Sequence, residues 1–203
     1  MKDLYTLFRF SLAGLRMLLA ATLVLGVLYP LAVTGIAQGV APWQANGSLV
    51  TATGKRTTDA GDAVGSTRLG QLVNDPALFQ PRPSVAGDGY DPLSSSGSNL
   101  GPESPDLIAV IEERKTEVAT REGVPVDRVP PDAVTASSSG LDPHISEAYA
   151  ALQVPRVAKE YGLSEQALRE LVTDHTDPRV LGVLGEPAVN VLELNIAVTR
   201  AAG

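Results

Sequence analysis

The chain of 203 residues contains no cysteine and only two histidines. Without cysteine it can form no disulfide, no thiolate nucleophile and no cysteine-ligated metal site. A zinc site needs three or four converging ligands, whereas the two histidines are far apart in the sequence: His144 lies two residues from Asp142, and His175 lies next to Asp174. We therefore interpret them as a loop histidine and a surface histidine near a helix C-terminus, and we predict no metal site.

Motifs for catalysis and nucleotide binding are also missing. The chain contains neither G-x-S-x-G nor S-x-x-K, and neither the phosphate loop G-x-x-x-x-G-K-[ST] nor G-x-G-x-x-G. The serines at 94–98 and 137–139 are therefore interpreted as turns held by their hydroxyl groups. Ser138-Ser139-Gly140 can present backbone N–H groups to a phosphate, but such turns are very common. We predict no catalytic residue and no cofactor bound by this chain.

Basic residues are in the minority. The chain has 16 basic and 23 acidic residues, a net charge of −7. Residues 1–40 hold three of the bases and one of the acids, which leaves 13 bases and 22 acids, or −9, for the remainder. An acidic body argues against nucleic acid or anionic lipid headgroups as partners.

No charged residue occurs between Met17 and Gly54. The run 12–37 is almost entirely apolar, with the single charge of Arg16 near its start. About 20 apolar residues in a helix cross the roughly 30 Å hydrocarbon core of a bilayer, and the backbone inside lipid must satisfy its own hydrogen bonds. We predict a transmembrane helix over 12–37, with Pro30 as a kink or its outer end.

Two other interpretations of this run stay open. A cleaved signal peptide fits the positive start and the small residues near 32–37, but its apolar region is usually about 7–15 residues long. A buried core helix would normally show a polar stripe. The length of the run favours the membrane helix over both.

The flanks of the run predict its orientation. The positive-inside rule places residues 1–11 in the cytoplasm and residues 38–203 outside it. Residues 38–203 are roughly the size of one domain. We therefore predict a single extracytoplasmic domain at the cell membrane. The charges that precede or open the run are Lys2, Asp3, Arg9 and Arg16.

The remaining chain mixes strand and helix signals and predicts an α/β (α+β-like) body. We expect strands over 48–53 and 65–73, a solvated loop over 54–62, and a strand-like segment at Val134-Thr135. We expect a first helix over 105–122, which begins after Ser104 and ends at Gly123, and a second over 147–161, which Ser146 caps and Pro155 breaks or kinks. A third helix is expected over about 165–174, capped by Ser164. A last helix is expected after Asn190, where a strand is the alternative.

The segment 74–104 is rich in Pro, Gly, Ser, Asn and Asp. Structureless loops of this length are uncommon inside compact domains and are usually functional or disordered. Apolar residues spaced through it favour an ordered loop anchored by hydrophobic side chains: Phe79, Val85, Tyr90 and Leu93.

Six motifs follow one another along the chain: Pro42–Leu49, Arg82-Pro83-Ser84, Ser95–Leu100, Val134–Asp142, Gln153–Ala158 and Val189–Asn195. Together they resemble a known family, the C subunits (KdpC) of the Kdp potassium-transporting P-type ATPases. The likeness covers nearly the whole chain, including the single N-terminal anchor. Ser96 departs from the family, which usually has glycine there, and this removes support for a positive-φ turn at that residue.

The resemblance implies an accessory, non-catalytic subunit of a high-affinity potassium import complex that uses ATP and K⁺. It implies two partners besides the bilayer: a channel-like K⁺-binding subunit and a P-type ATPase subunit. The family is described as stabilising the assembly and raising the ATP affinity of the ATPase subunit. Because an extracytoplasmic body cannot touch cytoplasmic ATP, we expect that effect to be conformational coupling. The alternatives are a free-standing membrane-anchored hydrolase and a secreted binding module.

Partner contacts are predicted on the loops 74–104 and 133–146, since binding residues concentrate on scaffolded loops. In the membrane run, Arg16 either snorkels to the interface or contacts a partner helix. A tryptophan just past the run suits the membrane interface. The candidate contact residues are Arg16, Trp43, Gly97, Ser98, Asn99, Ser138, Gly140 and Asp142.

Overall fold

The computed structural model describes residues 2–203. The chain divides into two compact units, and the boundary along the sequence lies between Gly47 and Ser48. The first unit is almost entirely helical. Helix α1 (Lys2–Leu23) continues through a π-helical turn (Val24–Leu28) into α2 (Tyr29–Val40), and the short helix α3 (Pro42–Ala45) follows.

The apolar helix is longer than the predicted span of 12–37 at both ends. Residues Asp3–Val40 are long and apolar enough to cross a membrane, and none of the apolar stretch is buried by the rest of the chain. A buried core helix is therefore the wrong interpretation. Pro30 lies near the start of α2, directly after the π-helical turn. Its ring nitrogen cannot donate to the carbonyl four residues back, and π-helical turns accommodate such interruptions without ending a helix.

The second unit begins with a small antiparallel sheet in the order β2-β1-β3. Strand β1 (Leu49–Thr51) confirms the strand expected over 48–53. Strand β2 (Arg56–Thr57) occupies part of the predicted loop 54–62, and β3 (Ala63–Ser66) ends well before residue 73. The predictions for these two segments were wrong in extent because strands of two to four residues depend on their pairing rather than on local pattern.

A second antiparallel sheet, in the order β4-β6-β5, and four helices form the rest of this unit. The strands are β4 (His144–Ile145), β5 (Thr176–Asp177) and β6 (Ala188–Asn190), and the helices are α4 (Pro105–Glu122), α5 (Glu147–Tyr161), α6 (Glu165–Asp174) and α7 (Val191–Ala202).

Side-chain caps explain why three of these helices begin where they do. The Ser146, Ser164 and Asn190 side chains accept the backbone N–H three residues on, at 3.0, 3.1 and 3.2 Å. The last cap confirms the final helix over the alternative strand. Helix α5 runs unbroken through Pro155, so the predicted break is wrong. The Val134-Thr135 segment is not a strand either, because it follows a 3₁₀ turn at Pro131–Ala133.

The core lies between α5, α6, α7 and the second sheet. Its fully buried apolar side chains are Phe79, Ile145, Tyr149, Val154, Val157, Leu168, Val189, Leu194 and Val198. Phe79 enters this core from the long segment 67–104, which contains no helix or strand.

Two side-chain amides hold that long segment to the helices. The Phe79 N–H donates to Asn195 Oδ1 at 2.9 Å, and Asn195 Nδ2 donates to the Phe79 carbonyl at 2.9 Å. Gln153 pairs with the Gln80 backbone in the same way, at 2.7 and 3.1 Å. These bonds replace the ladder that a strand would supply. The segment is therefore ordered, as predicted, although Leu93 is 95% exposed and anchors nothing.

Candidate functional site

The segments 82–99 and 135–144 lie against each other and are called the paired loops below. Among the described residues, five hydrogen bonds join them: two from Arg82, to Asp142 at 2.9 Å and to the Thr135 carbonyl at 3.4 Å, and three from serines. The Ser96 N–H and the Ser95 hydroxyl donate to the Ser139 carbonyl, at 3.0 and 2.9 Å, and the Ser84 hydroxyl donates to the Gly140 carbonyl at 2.6 Å. The serines therefore act as structural donors here, which agrees with their interpretation as turns held by hydroxyl groups.

Two glycines permit the close approach of these loops. Gly140 has φ +68°, and a Cβ at this residue would lie 2.8 Å from the Ser96 carbonyl oxygen. A Cβ on Gly97 would lie 2.9 Å from the Ser138 carbonyl oxygen. Ser96 itself is not among the residues with positive φ. A larger side chain at either glycine would separate the loops.

A chain of charged groups runs along one side of the paired loops. Arg82 Nη1 lies 2.9 Å from Asp142 Oδ2. The His144 ring lies between two carboxylates, with Nδ1 3.4 Å from Asp142 Oδ1 and Nε2 3.5 Å from Asp177 Oδ2. This chain connects the loops to strands β4 and β5 of the second sheet.

The neighbouring charges shift the acid–base behaviour of this chain. The hydrogen bond with Asp142 raises the pKa of His144 above its usual value, against the opposing effect of burial, and the charges of Asp142 and Asp177 add to the rise. Partial burial acts to raise the pKa of Asp142, but the hydrogen bonds from His144 and the charge of Arg82 outweigh it and hold that pKa below its usual range. Both shifts favour the charged forms of the pair, the imidazolium of His144 and the carboxylate of Asp142.

Six of the eight predicted contact residues belong to the paired loops. Asp142 is half-buried and occupied by Arg82 and His144, and Gly97 and Gly140 sit at the seam between the loops. The side chains of Ser98, Asn99 and Ser138 are exposed, and none of the three donates or accepts a side-chain hydrogen bond within the described residues 2–203. Asn99 has φ +53°.

The other two predicted contact residues belong to the first unit. Arg16 is exposed on α1, and Trp43 is half-buried on α3. Sequence reasoning named Tyr90 only as an apolar anchor of the loop and did not single out Arg82, whose carbonyl accepts the Tyr90 hydroxyl. The only signal was that Arg82 begins one of the six family-like motifs.

Among residues 2–203, no group of three or more histidine or acidic side chains is placed to hold a metal ion. The paired loops present exposed polar groups on a braced backbone. This arrangement is suited to recognition of another molecule's surface.

Within residues 2–203, one apolar helix long enough to cross a membrane is joined to a mixed helix and sheet body with exposed polar loops, an architecture typical of a membrane-associated protein. A family model described as the c chain of K⁺-transporting ATPase, KdpC, matches residues 11–200. The chain belongs to this family.

Individual relatives are similar over almost their whole length. The chain is 52% identical over 200 residues, 98% of the chain, to the potassium-transporting ATPase KdpC subunit of Kineococcus radiotolerans, of which it covers 97%. It is 49% identical over 190 residues, 93% of the chain, to that of Mycobacterium tuberculosis, of which 97% is covered. It is 44% identical to that of Geobacter metallireducens, with 93% of the chain and 96% of that relative covered.

Proposed function

We propose that this chain is an accessory, non-catalytic subunit of an ATP-driven potassium import complex. The observation that carries the proposal is the family match across residues 11–200, which includes both the anchor and the body. The partners we propose are the channel-like K⁺-binding subunit and the P-type ATPase subunit. The absence of catalytic and phosphate-loop motifs from the sequence supports a role in assembly rather than in chemistry.

We propose that residues 1–11 face the cytoplasm and that residues 38–203 form one extracytoplasmic domain at the cell membrane. The support is the excess of basic residues before the apolar run. A reporter active only after export, fused after Gly203, should be active. Activity confined to a cytoplasmic reporter would contradict this orientation.

The paired loops are the proposed contact surface. Their exposed side chains Ser98, Asn99 and Ser138 stand on a backbone that Gly97 and Gly140 bring together, so they can pair with polar groups of a partner without reorganising the loops. A preorganised surface loses less entropy on binding. In this proposal the effect on ATP affinity is a coupling between sites carried through the assembled complex.

Co-purification tests this function. With all subunits expressed together, the wild-type chain should elute with its partners from mild detergent, whereas a free-standing membrane-anchored hydrolase or a secreted binding module would elute alone. The double variant Asn99→Gly and Ser138→Ala should co-elute less, and glycine keeps the positive φ of residue 99. Gln166→Ala on the exposed face of α6 is the control. Equal recovery of both variants would contradict the contact surface.

A further inference from the structure

A cavity of about 220 Å³ opens beside the paired loops, between the segment 72–90 and helix α4. Three arginines are among its lining residues, Arg82, Arg114 and Arg121, together with Tyr90 and Tyr149. Arginine offers donors in a planar fork and always carries its charge. With three arginines and one acidic residue, Glu117, the lining carries a net positive charge, which favours an anion as ligand.

Among the described residues, one arginine of this lining has a buried donor without a partner and another forms no ion pair. Arg82 Nε is buried without a hydrogen-bond partner, although the same side chain uses Nη1 for Asp142. Arg114 donates to the Val134 carbonyl at 3.1 Å but has no carboxylate within 4.0 Å in the described chain.

The Tyr149 hydroxyl is a second open donor. Its side chain is 1% exposed, and its hydroxyl oxygen accepts Arg121 Nη2 at 2.9 Å. No acceptor in residues 2–203 takes the hydrogen of that hydroxyl. A buried donor without an acceptor costs about 1–3 kcal/mol, so a ligand that accepts hydrogen bonds would stabilise this site.

We propose that the cavity binds one carboxylate group. A carboxylate accepts two parallel N–H donors from a guanidinium and can accept the Tyr149 hydroxyl as well. Glu117 also lines the cavity and would repel a second negative charge, so a singly charged planar anion fits better than a phosphate dianion. The group belongs either to an acidic side chain of a partner protein or to a free small carboxylate in solution.

The binding test uses the full-length chain in neutral detergent, labelled with ¹⁵N in its arginine side chains. Sodium acetate is titrated at constant ionic strength with sodium chloride, and the Nε–H signals of Arg82, Arg114 and Arg121 are followed by NMR. We expect a saturable shift of these signals. Sodium phosphate at pH 8, where it is mainly the dianion, should bind more weakly than acetate.

Two cavity variants should change acetate affinity in opposite directions. Arg114→Gln removes a donor and should weaken it about tenfold, whereas Glu117→Gln removes a repelling charge and should strengthen it about two- to fivefold. Arg169→Gln is the control, because Arg169 pairs with Glu165 on the exposed face of α6. A merely structural cluster would show no strengthening in any variant.

The same titration on the assembled complex separates the two sources. Loss of acetate binding on assembly identifies a partner's acidic side chain as the occupant, and retained binding identifies a free carboxylate. Shifts that rise linearly without saturation, or that are equal in the wild type and Arg114→Gln, overturn the site. Since the isolated chain is tested first, that failure would leave the proposed assembly function standing.

Discussion

At the scale of single residues, the paired loops depend on positions where only one residue type fits. Gly140 has a left-handed backbone, and a Cβ at this residue would overlap the Ser96 carbonyl oxygen. Gly123, at the end of α4, has the same φ of +68°, but a Cβ there would meet no atom within 4 Å. A comparison of alanine substitutions at these two glycines therefore distinguishes the cost of backbone strain from the cost of steric overlap.

We predict that Gly140→Ala destabilises the chain more than Gly123→Ala. An L-residue in the left-handed region costs about 1–2 kcal/mol, and this is all that Gly123→Ala should lose. Gly140→Ala must also move the loops apart, and should lose at least about twice as much. Urea unfolding of both variants gives the comparison, and equal losses would show that the loops separate without cost.

Residue-scale pH dependence follows from His144. Its pKa is raised in the folded chain, so its contribution to stability is fully present below the unfolded value of about 6.5 and is lost as the pH rises through the folded pKa. The pKa of Asp142 is lowered, so its contribution is present above about 3.9 and is lost as the pH falls through its folded value.

We therefore predict that the stability advantage of wild type over His144→Gln is largest near pH 6 and shrinks toward pH 9. Melting temperatures of the two proteins across this range test it. His175→Gln is the control, since within residues 2–203 the His175 ring has no carboxylate partner and its one hydrogen bond is with the Leu171 carbonyl, at 2.9 Å. An advantage that grows with pH would contradict the assigned direction of the shift.

The sequence predicted residues that act locally and missed those that act over distance. Ser146, Ser164 and Asn190 could be recognised as caps because each bonds three residues along the chain. The Arg82–Asp142 pair spans 60 residues, and no local pattern indicates which arginine meets which carboxylate. The exposed candidates of the loops were reached through the family-like motifs rather than through their own chemistry.

At the scale of elements, the α-helices of the second unit were predictable, whereas most of the short strands, β1 excepted, were not. Helix α4 begins after Ser104 and ends at Gly123 in the left-handed conformation, as its sequence predicts. The second sheet consists of strands of two and three residues, too short to show an alternating pattern. The predicted helix-breaking effect of proline was too strong, because neither Pro30 nor Pro155 ends its helix.

The hydrogen bonds of the Asn195 and Gln153 side-chain amides to the backbone lead to a prediction for the long segment 67–104. Asn195→Ala removes both hydrogen bonds to the Phe79 backbone and leaves its buried N–H and carbonyl unpaired. The free energy of unfolding should fall by about 2–4 kcal/mol, and the Phe79 amide should exchange with solvent much faster. Gln166→Ala, on an exposed helix face, should change stability by less than about 0.5 kcal/mol. Slow exchange at Phe79 in Asn195→Ala would show that the segment is held by other contacts.

At the scale of the whole molecule, two compact units of different composition are joined in one chain. The first contains a long apolar helix, and the second has its own buried core between residues 48 and 203. The sequence predicted the apolar helix because the charge-free run is long and contiguous. It did not predict the full length of the helix, since the residues before position 12 carry mixed polarity and their helical state depends on the continuing backbone ladder.

The division predicts that anchoring and contact can be separated. Removal of residues 2–40 should leave the body folded, with a melting temperature close to that of the full chain, because the core residues all lie after this segment. Assembly with the partner subunits should weaken strongly. An anchor makes docking effectively intramolecular, with an effective concentration on the order of millimolar, so a modest polar surface suffices when the helix is present and fails when it is absent.

The measurement is rescue of K⁺-stimulated ATP hydrolysis in a complex purified without this chain. Full-length chain in detergent should restore activity at about equimolar amounts, whereas the body alone should require a large excess and approach saturation only as its concentration nears the effective value. The body carrying Asn99→Gly and Ser138→Ala should not rescue even then, since it lacks both the tether and the contacts. Rescue by equimolar body would mean that its surface binds tightly without the helix, and the anchor would then serve only to locate the protein at the membrane.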